Sequence, residues 1–262
     1  MAMSDEREIR ESILKAAERL VREKLVSRTW GNISARLSDE EFIITPSGRA
    51  YDGMKPEDLV RVRISDLSYD EKGFKPSSEK GIHAAVYARR PDANFVIHTH
   101  QLYATAVCAA EKDAAGIPCA EYALSGSDEL CESVKACMTR CPDARAFLLA
   151  KHGTLCFGKD ALDAFDETEK LEEKCKALFD ERISPEEVAV AGERYEGLLP
   201  AYIDDYAQIF PAQEGEDPEA LSLIRYKNIL AMLYAKDAGP LSPENTEYQH
   251  RKYVDSYSKL IK

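Results

Sequence analysis

Apolar residues Ile9, Ile13, Leu14, Ala17, Leu20 and Val21 recur every three or four positions. That period lines one stripe of a helix, so the chain is read as opening on an amphipathic helix. Ser4 stands at its start as a cap, with Asp5 and Glu6 in the first turn, where negative charge meets the positive helix end. The period then changes. "GNISARL" and "EFIITPSG" read as two short strands closed by turns at Gly31-Asn32 and Pro46-Ser47-Gly48. "DLVRVRISD" alternates apolar and polar residues and reads as a third strand, followed by a turn near Asp70–Gly73.

"SSEKGIHAAVYARRPD" returns to helical spacing and is expected to stop before Pro91. Asn94-Phe95-Val96-Ile97 reads as a strand running into a helix around Leu102–Lys112. "SDELCESVKACMTRCPD" is a helix starting at Ser127 or Asp128. "RAFLLAKHGTLCFGKD" is a buried strand pair turning at His152-Gly153. "ALDAFDETEKLEEKCKALFDERI" is a long amphipathic helix. Helices and strands interleave to about residue 180, which indicates an α/β layered domain. Past about residue 200 the character changes to a linker-like stretch, another amphipathic helix and a tyrosine-rich tail. We therefore expect a domain over residues 1–200. Residues 201–262 would be a C-terminal helical extension packed on that domain or on a neighbouring subunit, being too few for a second core.

Charge narrows the partners. The 262 residues carry 35 basic and 47 acidic side chains, a net charge of −12. No basic excess is present to neutralise a nucleic-acid backbone, so no nucleic-acid partner is expected. A small anion needs only a local cluster of donors and stays open. No stretch approaches the ~20 apolar residues of a membrane span, and the charged N-terminus has no signal-peptide apolar core. The seven cysteines (108, 119, 131, 137, 141, 156 and 175) contain no CxxC. They are read as reduced, several of them in the core, and the protein as cytoplasmic.

Candidate chemistry starts at "FVIHTH". In a strand, residues i and i+2 share a face, so His98 and His100 project together and Thr99 points away. Two imidazoles on one face are half of a metal site or two surface histidines near a turn. "PSSE" adds Glu79 just inside a helix start, beside the hydroxyls of Ser77 and Ser78. "KHGT" adds His152 at a strand end on a glycine turn. Three histidines and a carboxylate suit zinc or a similar divalent ion, and a carboxylate able to leave the metal is also a proton carrier. The turns with Gly31, Asn32, Ser47 and Gly48 offer N–H groups and side chains to an anion. His83, four residues beyond Glu79, shares its helical face and is read as supporting or packing rather than as a ligand. Trp30 is read as core or pocket wall.

Taken in order, "GNISAR", "TPSG", "PSSE", "RPDANFVIHTH", "YATA" and "KHGT" resemble the class II aldolase/adducin family over residues 8–198. Within it, the zinc-dependent fuculose-phosphate and rhamnulose-phosphate aldolases are nearest by pattern. The resemblance implies a three-layer α/β/α fold with a mainly antiparallel central sheet, assembled as a homotetramer with sites at subunit interfaces. It implies that His98, His100 and His152 are the zinc imidazoles. Glu79 would bind the ion at rest and act as acid/base once substrate displaces it. Gly31, Asn32, Ser47, Gly48, Ser77 and Ser78 would form the pocket for the substrate phosphate. The implied reaction is cleavage of a ketose 1-phosphate to dihydroxyacetone phosphate and an aldehyde, with the metal as Lewis acid.

Two other readings share this pattern. One is a pentulose-phosphate 4-epimerase or dehydratase. The other is a non-catalytic, adducin-like binding module, which retention of all four ligand positions speaks against. Glutamate at position 79 favours the aldolase branch over the epimerases, which usually carry aspartate there, while the dehydratases of the family also use glutamate. The chain also departs from the pattern. The segment "QLYATAVCAAEKDAAG" is shorter than in the aldolases and lacks their proton-donating tyrosine. Ser125 stands where they place an aromatic residue. Tyr195 and Tyr202 lie near the place of the family's C-terminal tyrosine, and Tyr248, His250, Arg251, Tyr253 and Tyr257 of the added region are the candidate replacement donors.

Overall fold

Strand β1 (Gly31–Arg36) pairs antiparallel with β2 (Glu41–Ile44) on one side and with β4 (Phe95–Thr99) on the other. From this nucleus grows a seven-stranded sheet of order β3-β2-β1-β4-β7-β6-β5. The further strands are β3 (Val60–Arg63), β5 (Cys119–Ala120), β6 (Ala146–Leu149) and β7 (Gly153–Gly158). Every pairing is antiparallel except β5 with β6. The helices are α1 (Glu6–Arg22), α2 (Lys80–Arg89), α3 (Leu102–Cys108), α4 (Asp128–Arg140) and α5 (Ala161–Asp180). The computed structural model describes residues 6–26, 31–110, 112–190, 230, 233 and 234. Ser4, Trp30 and nearly all of the C-terminal region, including every tyrosine named above, lie outside the described residues.

Alternation along the strands sorts the core into clusters. Phe42, Ile44, Val96, Phe147, Leu149, Leu155 and Phe157 are buried with Ile82, Val86 and Tyr87 of α2 and Leu130, Val134 and Met138 of α4. Their strand neighbours go elsewhere. Ile43, Phe95 and Ile97 join Ile13, Ala17 and Leu20 of α1, and Leu148 and Cys156 join α3 and α5. This is the period-two pattern of strands with apolar packing on both faces. Each fully buried aromatic or branched aliphatic side chain contributes about 1.5–3 kcal/mol. Leu230 and Tyr234 of the C-terminal region are buried in the third cluster, where Tyr234 stacks on Phe179 with centroids 6.0 Å apart.

Most expected elements are present, with three differences. Glu79 is the N-cap of α2 rather than a residue inside it, and Ser77 Oγ accepts from the Glu79 N–H at 3.2 Å. Helix α3 ends at Cys108, short of Lys112, and the Cys108 carbonyl accepts from the Lys151 N–H at 3.1 Å. The short strand β5 has no counterpart in the sequence reading. Among the described residues no helix is long and apolar enough to cross a membrane. All seven cysteines are free thiols, and burial pushes Cys156 up to about 12, which keeps it an inert core residue.

Candidate active site

Three chain segments converge at one end of the β1/β4/β7 group. His98 lies in the last turn of pleat of β4, directly across from Asn32 of β1 and Leu155 of β7. His100 follows just past the strand end. His152 arrives on the turn from β6 into β7. That turn needs a left-handed backbone at Lys151, φ 53°, and a glycine at 153. A Cβ on Gly153 would stand 2.6 Å from the Thr99 carbonyl oxygen and 2.9 Å from His100 Cδ2. Only glycine lets the turn seat His152 against His100. We expect Gly153→Ala to weaken divalent-metal binding at least about tenfold, the low end for disturbing groups that orient ligands. A zinc titration of the folded variant checks this, with wild-type affinity as the contrary result.

The three rings are mutually edge-on, with centroids 4.8 to 5.0 Å apart. One nitrogen from each lies within 4.8 Å of the others. Glu79 enters this cluster from the start of α2. Its Oε2 is 3.0 Å from His98 Nε2, and its Oε1 is 3.0 Å from His152 Nε2. Each oxygen also has a neutral donor: Asn32 Nδ2–H to Oε2 at 3.0 Å and Ser125 Oγ–H to Oε1 at 2.9 Å. The carboxylate is 7% exposed and so nearly dry. Burial pushes its pKa up. The facing His98 and His152 charges and hydrogen bonds outweigh that and hold it well below the ordinary carboxylate range.

The donor set fits a divalent cation. His98 Nδ1–H donates to the Thr154 carbonyl at 2.7 Å, which orients the ring and turns Nε2 into the cluster. There Nε2 meets both the Glu79 carboxylate and His100 Nε2, the latter at 3.1 Å. Lone pairs of neutral imidazoles and an ionised carboxylate repel unless positive charge lies between them. Protons or a metal ion can supply it. Three imidazoles and a carboxylate at these separations match the ligand types of a catalytic divalent site.

The residues expected to hold an anion are only partly gathered. Asn32 is buried and engaged with Glu79. The "TPSG" turn lies against the "KPSS" segment through Ser47 N–H to Lys75 O at 3.0 Å and Ser77 N–H to Thr45 O at 3.1 Å. Ser77 is buried, whereas Ser47, Gly48 and Ser78 face solvent. Gly48 has a left-handed φ of 67° and Gly31 one of 142°. A Cβ on Gly31 would approach the His98 carbonyl to 2.8 Å, so β1 can lie this close to the histidine strand only with glycine there. Ser125 is the residue that sequence reasoning missed. It had stood out only as a departure from an aromatic position, and its hydroxyl is a direct donor to Glu79.

Comparison with known proteins agrees with the geometry. The family model described as "Class II Aldolase and Adducin N-terminal domain" matches residues 11–179. An L-fuculose phosphate aldolase from Methanocaldococcus jannaschii is 30% identical over 178 residues, covering 64% of this chain and 93% of that protein. A probable L-ribulose-5-phosphate 4-epimerase from Mycoplasma pneumoniae is 30% identical over 203 residues, covering 68% of this chain and 84% of that protein. The fold is similar to the crystal structure of YgbL, a putative aldolase/epimerase/decarboxylase from Escherichia coli. The TM-score is 0.61 at 26% identity, over 69% of this chain and 92% of that one. The match spans more than half of the sequence and includes all four residues of the histidine–carboxylate cluster, so the chain belongs to the class II aldolase/adducin family.

Proposed function

We propose that the protein is a metal-dependent aldehyde-lyase that cleaves a ketose 1-phosphate of fuculose-, rhamnulose- or deoxypentulose-phosphate type to dihydroxyacetone phosphate and an aldehyde. The observation that carries this reading is the buried Glu79 carboxylate inserted between two imidazoles of a three-histidine cluster. His98, His100 and His152 would hold the ion, with Glu79 as the fourth ligand at rest, and zinc is the ion best matched to that set. When bound, it supplies Lewis-acid stabilisation of the negative charge that builds on substrate oxygen during carbon–carbon cleavage.

The chain's own residues supply the rest. In a retro-aldol step the C4 hydroxyl gives up its proton as its oxygen becomes the aldehyde carbonyl, the bond between C3 and C4 breaks, its electron pair flows to the C2 carbonyl oxygen, and C3 is then protonated. Glu79 is built to carry that proton. If it gives up its imidazole contacts, each oxygen keeps one fixed neutral donor, Asn32 or Ser125, and the freed lone pairs can take or deliver a proton. Ser125→Ala is expected to lower kcat about tenfold, about the worth of one hydrogen bond to a charged group, with metal content unchanged. Steady-state kinetics beside elemental analysis checks this. The exposed Ser47-Gly48 turn and Ser78 suit a phosphate, whose binding energy would fix the carbon chain for cleavage.

Further support bears on architecture. Helices packed on both faces of the sheet favour the three-layer reading. Tyr234 stacked on Phe179, with Arg182 4.4 Å over the Tyr234 ring, favours residues 201–262 as an extension packed on the 1–200 domain. The half-open phosphate side favours a tetramer with sites completed at subunit interfaces. The test of function is dihydroxyacetone phosphate release from a panel of ketose 1-phosphates by zinc-loaded protein. Release abolished by chelator supports the reading. Isomerisation or loss of a pentulose phosphate without that release supports the second reading, a 4-epimerase or dehydratase, of which the Mycoplasma pneumoniae relative favours the epimerase.

A further inference from the structure

Behind Glu79 lies a buried polar chain that the proposed chemistry does not use. Asn32 and Ser34 are two apart on β1 and so share a face, while His83 and Tyr87 are four apart on α2 and share another. The two faces meet. Asn32 Oδ1 lies 2.5 Å from His83 Nε2, Ser34 Oγ lies 2.6 Å from His83 Nδ1, and Tyr87 OH lies 2.8 Å from Ser34 Oγ. Asn32, Ser34, His83 and Tyr87 are 4%, 0%, 0% and 3% exposed, so no bulk water competes for these contacts.

The direction of every hydrogen bond follows from one contact. Asn32 Nδ2 lies 3.0 Å from Glu79 Oε2, and an amide NH2 can only donate, so the NH2 edge faces the carboxyl group. The Asn32 carbonyl oxygen then faces His83 and can only accept, which places the imidazole proton on Nε2. His83 stays neutral, because burial, with the nearby His98 charge, pushes its pKa down to about 3. Its Nδ1 is therefore an acceptor, to which the Ser34 hydroxyl donates. The Ser34 oxygen in turn accepts from Tyr87 OH. The buried polar side-chain groups of this run are matched, and each donor points toward Glu79.

We infer that His83, backed by Ser34 and Tyr87, is a positioning residue that locks the Asn32 amide in one of its two flips, keeping its N–H edge toward the site. The consequence is selectivity for an anion. With Glu79 in place, that edge holds the carboxylate. When Glu79 moves onto substrate, the same N–H remains as a donor for an oxyanion or phosphate oxygen. Without the His83 donor the amide can turn over and present its carbonyl oxygen, which repels an anion. This inference rests on the proposed site only in that Asn32 and Glu79 are the groups held.

Full-length zinc-loaded protein tests it with inorganic phosphate as the probe. Nitrogen-15 NMR of the imidazoles should show a neutral His83 with its proton on Nε2. His83→Gln keeps an N–H near the Nε2 position, whereas the shorter His83→Asn reaches only the Nδ1 position. We expect His83→Asn to weaken phosphate binding at least about tenfold, and His83→Gln to recover affinity to within about threefold of wild type, since a charge-assisted hydrogen bond is at stake. His83→Asn removes one methylene more than His83→Gln, so affinities are compared on folded protein of measured stability, and the Nε2 proton seen by NMR is the readout that a merely structural role would not move. Equal phosphate affinity in the two variants, or a proton on Nδ1, overturns the inference. Neither readout depends on which sugar phosphate is turned over, so failure of the aldolase reading remains a separate result. Tyr87→Phe provides a milder check: a several-fold loss of phosphate affinity supports the chain, and none contradicts it.

Discussion

Glu79→Gln is expected to cut turnover about 10²–10⁴-fold, the range for losing a positioned general acid–base group, while the divalent ion stays bound. Glutamine matches glutamate in shape, and the amide oxygen can still accept from Asn32 or Ser125, which hold the native carboxylate at 3.0 and 2.9 Å. The three imidazoles remain to hold the metal. What disappears is the ability to carry a proton. The variant should therefore separate binding from chemistry: kcat falls, while metal content and phosphate affinity persist. Turnover within a few-fold of wild type would remove Glu79 from the proton path.

His152→Ala is expected to have the opposite profile. It deletes one of three nitrogens that lie within 4.8 Å of each other and takes from Glu79 Oε1 its imidazole partner. Metal affinity should fall by more than about 100-fold, beyond the range for groups that only orient ligands. Turnover should fall with it and recover in part at high added zinc, whereas Glu79→Gln should not respond. The effect should also exceed that of Gly153→Ala, which displaces the same turn without deleting a nitrogen. Metal titration of both variants under one chelator buffer gives the comparison. Equal affinity in wild type and His152→Ala would contradict the three-histidine centre.

The sequence made the gross arrangement legible because its two periodicities are strong. The strand at Phe95–Thr99 and the glycine turn at 152–153 each carry a histidine at a strand end, and the sheet brings those ends together. The position of Glu79 was legible from the helix start, although it proved to be the cap rather than a helical residue. Less was visible where long-range contacts decide. The two-residue strand β5 exists only through pairing with β6, and the end of α3 is set by Lys151, forty-odd residues away. Ser125 reaches Glu79 from a loop, with no local pattern to announce it. The His83 chain left a faint trace: polar residues at alternate positions of an otherwise apolar strand, Asn32 and Ser34, facing a helix with polar residues four apart. Such a pair of spacings shows that polar faces exist, not that they meet.

The central claim is that His98, His100 and His152 hold a catalytic divalent ion with Glu79. The most direct measurement is zinc-edge X-ray absorption on zinc-loaded wild type beside His152→Ala at saturating metal. The account predicts a first shell of nitrogen and oxygen only, with imidazole scattering from three histidines that drops to two in the variant. Sulfur in the shell, or an imidazole count unchanged by the substitution, would place the metal elsewhere and contradict it.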